Sequence, residues 1–98
     1  VNVAGEASKF GVTLSQLSAL VALARTLPNI RLEGLMTVAP RHPDAQEARP
    51  HFTALRRLAA EFGLARLSMG MTDDFEVAIE EGATHIRVGR AIFGERPA

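Results

Sequence analysis

Residues 67–94 read LSMGMTDDFEVAIEEGATHIRVGRAIFG. Two short apolar runs each enter a glycine-containing turn, and each turn leads into a segment with helical character. ARLSMGM, 65–71, predicts a strand. Thr72 is placed to cap the helix that follows, with Asp73 and Asp74 set against the positive end of its dipole. That helix runs to about Glu81 and stops at Gly82. THIRVG, 84–89, predicts the next strand, and RAIFG, 90–94, a last short helix. The stretch is therefore strand–helix–strand–helix, and the same turn is built twice.

The pattern continues upstream. Residues 1–4, VNVA, alternate as a half-exposed strand does. They open the sequence inside a strand and without methionine, from which a start further upstream is expected. Thr13 and Gln16 have the spacing of a capping box. Leu14, Leu17, Leu20, Val21 and Ala24 then fall on one helical stripe until Pro28 ends the run. IRLEGLMTV, 30–38, predicts a second strand, followed by the polar loop APRHPDAQE. A helix is predicted over 45–62, with Phe52, Leu55, Leu58, Ala59 and Phe62 on one face and Gly63 as its stop. Pro50 fits that helix if its regular part begins near Arg49, or if an earlier turn is kinked.

Strict alternation of four strands with helices predicts an α/β domain of parallel strands joined by right-handed crossovers. Half of a (β/α)8 barrel and a small open parallel sheet both satisfy it.

The composition permits this fold and narrows the chemistry. The 98 residues are 47% apolar, enough for one core and one domain spanning 1–98. Eleven basic residues balance eleven acidic ones, which gives no reason to expect nucleic acid or a membrane surface as partner. The absence of cysteine removes disulfides, thiolate metal sites and cysteine nucleophiles, and fits a cytoplasmic setting. His42, His51 and His85 do not have metal-ligand spacing. Ser68 stands in S-M-G-M, not in a nucleophile elbow. No catalytic residue is assigned. Met36, Met69 and Met71 read as core filler. Lys9 is the only lysine and reads as a solvated loop residue.

The paired turns carry the chemistry. Each places backbone N–H groups at the C-terminal end of a strand and the start of a helix, where an anion is favoured. Barrel proteins bind phosphate at their last two βα loops, beside an extra short helix. Thr72, Gly89 and the N–H groups of Arg90 and Ala91 would form such a site. Ordinary capping explains the same residues, and Asp73 and Asp74 would repel an anion that they faced. Arg87 shares a strand face with His85 and needs a partner if buried. An ion pair with Glu33 or a neighbouring carboxylate satisfies it slightly better than a ligand does.

GEASKFGV, RLEGLMTVAP and LSMGMTDDFEVAIEEGATHIRVGRAIFGER together resemble the pyridoxal-phosphate homeostasis protein family, over essentially the whole sequence. The resemblance implies the barrel of alanine racemase type, with this chain as half of a (β/α)8 TIM barrel holding strands β5–β8. It implies pyridoxal 5'-phosphate (PLP) at the strand ends. Ser68, Gly70 and Thr72, with the backbone at Gly89 and Arg90, would cradle the phosphate. Arg87 would face the pyridine nitrogen, Met36 would line the pocket beneath the ring, and Asn2 would face its floor. The implied role is cofactor carriage and homeostasis without substrate turnover. Half of an amino-acid racemase or decarboxylase is the alternative, and a purely structural module a third. The implied partner is a missing N-terminal half-barrel or a second copy. Two departures stand out. Arg90 occupies a position where many members have threonine. The Schiff-base lysine of the family belongs to a strand upstream of this chain, and Lys9 matches a different loop position.

Overall fold

Helix α1 (Leu14–Thr26) runs to strand β1 (Gly34–Met36), a 3₁₀ turn (Ala45–Ala48) leads into helix α2 (Arg49–Glu61), and strand β2 (Arg66–Ser68), helix α3 (Phe75–Glu80) and helix α4 (Arg90–Phe93) follow. This computed structural model describes residues 1–6 and 10–96. Lys9 lies outside the described residues.

The two strands pair in parallel, with Gly34 opposite Arg66, Leu35 opposite Leu67 and Met36 opposite Ser68. The ladder extends at both ends through Arg66 N–H to Glu33 O at 3.1 Å and Thr37 N–H to Ser68 O at 3.1 Å. On the far side of β2 the segment around His85 joins as a parallel bridge to Ser68. Met69 N–H donates to His85 O at 3.1 Å and Arg87 N–H to Gly70 O at 2.8 Å. On the near side the Val1 amino group donates to Met36 O at 2.6 Å. The extended segments therefore lie side by side in chain order.

The strands are shorter than predicted. The run 30–38 is ladder-paired only over Gly34–Met36, and 84–89 contributes a single bridge. Residues 1–4 are not a strand. Asn2 turns the chain there, its side chain holding the Glu6 carbonyl at 2.8 Å and accepting the Glu6 N–H at 3.2 Å. Asn2 thus staples a loop, and its amide is not free to face a pocket floor.

The core lies between the sheet and α2. Leu35, Leu67 and Met69 on the sheet meet Phe52, Leu55 and Ala59 on the helix, all buried. Leu58 and Phe62 complete the predicted face as partly buried neighbours. Pro50 sits in the first turn of α2, where its missing N–H has no intrahelical acceptor to lose. Gly63 and Gly82 end α2 and α3 with paired backbone bonds, Leu64 N–H to Ala59 O and Ala83 N–H to Ala78 O. Helices α2 and α3 are tied at the surface by Arg49, which reaches Glu80 at 2.5 Å and Glu81 at 2.7 Å. Glu81 also accepts from the Thr53 hydroxyl at 2.7 Å. That hydroxyl first, then Arg49, holds the Glu81 carboxyl below its usual range.

Three local expectations fail for identifiable reasons. The capping box of α1 does not form, because the Thr13 hydroxyl bonds the Ser15 hydroxyl at 3.1 Å instead. Only Leu17 and Val21 of the predicted α1 stripe are buried, while Leu14 and Leu20 remain half exposed on a face that no described element covers. Met69 is core, whereas Met36 (48% exposed) and Met71 (43%) are not.

Candidate functional site

Side chains alternate along a strand, so the sheet has two faces. Leu35 and Leu67 point under α2. Met36, Ser68 and His85 are consecutive partners in the ladder and share the opposite, open face. Arg87 lies two residues beyond His85 and joins them. Its guanidinium crosses the sheet and donates through Nη2 to Thr37 O at 2.8 Å. Glu33 pairs instead with Arg31 at 3.8 Å, so the expected internal ion pair with Arg87 is not made. Arg87 Nε is buried with no hydrogen-bond partner among the described residues. A buried, unpaired N–H costs about 1–3 kcal/mol unless an acceptor meets it.

Beyond the open face the two βα turns converge. Ala91 N–H donates to the Thr72 hydroxyl at 3.1 Å, across 19 positions of sequence. Thr72 is therefore not the cap of α3. That helix begins at Phe75 after Asp74, whose carboxylate takes the Met71 N–H at 2.7 Å. The acceptor capacity of the Thr72 oxygen goes to α4, and its own O–H stays free to donate. The backbone N–H groups of Thr72, Asp73, Gly89 and Arg90 make no hydrogen bond to another described residue. A Cβ built on Gly89 would meet no atom within 4 Å, so the backbone there adjoins open space.

Gly70 differs. Its φ is +103°, and an added Cβ would lie 2.7 Å from the Ala78 Cβ. Close packing of α3 on the strand end accounts for this glycine whether or not a ligand is bound.

The acidic residues do not present bare charge. Asp73 pairs with Arg90 through one carboxylate oxygen and with Arg41 through the other at 3.4 Å. The Arg90 guanidinium, then Arg41, holds the Asp73 carboxyl below its usual range, and Asp73 raises Arg90 in turn. Arg90 also reaches Glu95 at 3.2 Å. A cavity of about 350 Å³ opens at this end of the strands, walled by Val38, Arg41, Met71, Thr72, Asp73 and Arg90. Its size is that of a small-molecule site.

Of the sequence-predicted residues, Met36, Ser68 and Arg87 share the open face, while Gly70, Thr72, Gly89 and Arg90 stand at the converging turns. Sequence reading missed Thr37, whose carbonyl anchors Arg87, and the Asp73–Arg90–Arg41 cluster. Burial of Thr37 follows from its alternation with Leu35. Nothing in the spacing of Asp73 and Arg90 announces their contact. Among the described residues no three His, Asp or Glu side chains are placed to hold a metal. No helix there is long and apolar enough to cross a membrane.

Comparison with known proteins extends the geometry. The family model for the alanine racemase N-terminal domain matches residues 1–97. The chain belongs to the alanine racemase N-terminal domain family. Within this family it is 47% identical, over 98% of its own length and 45% of the relative's, to the pyridoxal phosphate homeostasis protein of Aquifex aeolicus. It is 50% identical to the protein of that name from Pseudomonas aeruginosa, over 98% of its length and 43% of the relative's. The chain thus spans less than half the length of the curated relatives it matches. Among solved structures it is similar to PipY of Synechococcus elongatus. PipY without PLP aligns at a TM-score of 0.81 and 36% identity, covering 91% of this chain and 45% of PipY. PipY with PLP bound aligns at 0.68 and 38%, covering 82% and 39%. These matches place the parallel strands and helices described above in an alanine-racemase-like α/β fold.

Proposed function

We propose that this chain supplies the phosphate and pyridine-nitrogen subsites of a PLP-holding (β/α)8 barrel whose work is cofactor homeostasis. The observation that carries the reading is the convergence of Thr72 and Ala91 at 3.1 Å, together with an Arg87 Nε that is buried and without a partner among the described residues. The Thr72 O–H and the free N–H groups at Thr72, Asp73, Gly89 and Arg90 suit a phosphate, which needs several donors from more than one direction. Arg87 Nε is a donor without an acceptor, and an unprotonated pyridine nitrogen is an acceptor. The residues present therefore fit the cofactor.

In this reading Ser68, Gly70, Thr72, Gly89 and Arg90 frame the phosphate, and Met36 lies beneath the ring. Arg87 holds the ring nitrogen unprotonated. Bound PLP supplies a reactive aldehyde and an electron-accepting ring. An arginine at the nitrogen weakens that ring as an electron sink, which suits storage and delivery better than turnover. The Schiff-base lysine is assigned to sequence outside this chain. So is the remaining half-barrel, or a second copy, that would cover the open face, where Met36 and Val38 are 48% and 42% exposed. Cytoplasmic location belongs to the same proposal.

The alternative is half of a fold-type III PLP enzyme, an amino-acid racemase or decarboxylase. It is favoured by the family match itself, since alanine racemase gives that family its name. Titration of the full-length protein with PLP, read by the visible absorbance of the bound cofactor, tests the first reading. Binding without steady turnover of any amino acid supports a carrier. Steady racemisation or decarboxylation overturns it in favour of the enzyme, and failure to bind PLP overturns both.

A further inference from the structure

We infer that Arg90 is a positioning residue that acts through Asp73, fixing the turn after β2 against the start of α4 and leaving the phosphate to the backbone donors. Its effect on binding rests on the phosphate reading above; its geometry does not.

The guanidinium of Arg90 is already committed. One side goes to Asp73 and the other to Glu95 at 3.2 Å. Arg41 completes the group on the second oxygen of Asp73 at 3.4 Å. Two cations and two anions sum to zero, so the cluster offers an incoming dianion no surplus positive charge. What it does offer is a second tie between the two turns. Asp73 follows Thr72, and Arg90 precedes Ala91. The ion pair therefore runs parallel to the Thr72–Ala91 hydrogen bond, one residue away on each strand end. Either tie alone is a hinge. Together they fix both the separation and the rotation of the two N–H sets. Arg90 and Asp73 are about a third and a half exposed, so the pair is partly screened and contributes little to global stability. Its consequence is local, in how often the turns part.

A direct phosphate contact by Arg90 and a tie through Asp73 predict opposite signs for one substitution. In the full-length protein, Asp73→Asn removes a negative charge beside the phosphate and frees Arg90. If Arg90 grips phosphate, Asp73→Asn tightens PLP binding while Arg90→Met weakens it. If Arg90 positions the turn, both weaken PLP by about two- to fivefold, the worth of one partly exposed ion pair. The double variant is then no worse than the poorer single one. Pyridoxal, which lacks the phosphate, binds each variant as it binds the unsubstituted protein. Ligand-free amide exchange at Ala91 accelerates in both single variants. Tighter PLP binding by Asp73→Asn, equal weakening of pyridoxal, or unchanged exchange at Ala91 overturns the inference. If the unsubstituted protein binds neither PLP nor inorganic phosphate, the functional reading fails, and exchange at Ala91 alone decides whether the tie exists.

Discussion

Replacing Gly70 and Gly89 by alanine in turn separates what the fold needs from what the site needs. At Gly70 the backbone has φ +103°, and the new Cβ would lie 2.7 Å from the Ala78 Cβ, 3.1 Å from the Phe75 Cα and 3.3 Å from the Ile86 Cγ2. The first contact is shorter than real Cβ atoms tolerate, and neither Ala78 nor the Phe75 backbone can swing away. Strained backbone costs about 1–3 kcal/mol and overpacking a further 1–3 kcal/mol. Gly70→Ala should therefore lose about 2–6 kcal/mol, a large share of the 5–15 kcal/mol typical of a domain. At Gly89 the φ is −122° and the Cβ would meet nothing within 4 Å. Gly89→Ala should leave stability within about 0.5 kcal/mol of the parent. Its methyl would occupy the space proposed for the phosphate, and displacing one charge-assisted donor corresponds to about tenfold in affinity. Urea unfolding and PLP titration of the full-length protein measure both. The midpoint of Gly70→Ala should fall by about 1 M or more, since urea m-values are about 1–3 kcal/mol/M. Gly89→Ala should unfold with the parent and bind PLP weakly. A stable Gly70→Ala refutes the packing account of that turn. Full PLP affinity in Gly89→Ala removes the phosphate from the turn at Gly89.

Arg87→Met should shift the absorbance of bound PLP and weaken its binding, whereas Arg25→Met should do neither, because Arg25 bonds the Phe62 carbonyl at the opposite end of the strands. Absorbance spectra of the two loaded variants check this. The Glu81 carboxyl is held below its usual range by Thr53 and Arg49, so its contribution is present above the ordinary glutamate range of about 4 and is lost as pH falls through its lowered value. Glu81→Gln should consequently unfold earlier than the parent in neutral urea, with the gap closing on acidification. Phe52→Ala removes a ring that is fully buried at the centre of the core and should cost about 3–5 kcal/mol in the same unfolding assay.

The order of the helices and of the two paired strands was legible in the sequence because apolar spacing and punctuation agreed, whereas the first predicted strand, 1–4, did not form. Pro28, Gly63 and Gly82 end their runs where a helix end has backbone groups to satisfy, and Phe52, Leu55 and Ala59 share a face because helical spacing leaves no other arrangement. Strand lengths were less legible. Periodicity records which residues can extend, whereas pairing depends on neighbours, and the run 30–38 meets β2 over only part of its length. The paired turns were readable as an anion site, yet the partner of Thr72 was not. Local spacing favours capping of α3, while the observed bond goes to a residue brought close by the crossover. Arg87 shows the same limit. Its strand face followed from alternation, but its choice of the Thr37 carbonyl over Glu33 depends on β1, β2 and the bridged His85 segment lying side by side.

That reach of Arg87 across 50 positions has a thermodynamic consequence. Thr37 in turn donates its hydroxyl to Val1 O at 2.6 Å, so one chain of polar contacts ties the Arg87 segment, the end of β1 and Val1 together. Whatever satisfies Arg87 Nε then favours the assembled sheet over any state in which a strand has come loose. By mass action a ligand at a hundred times its dissociation constant adds about 2.7 kcal/mol to the folded state. Under the proposed carrier role, loading and structural integrity would be one equilibrium: the emptied form would also be the more readily unravelled one, and proteolytic lifetime would gauge the bound cofactor.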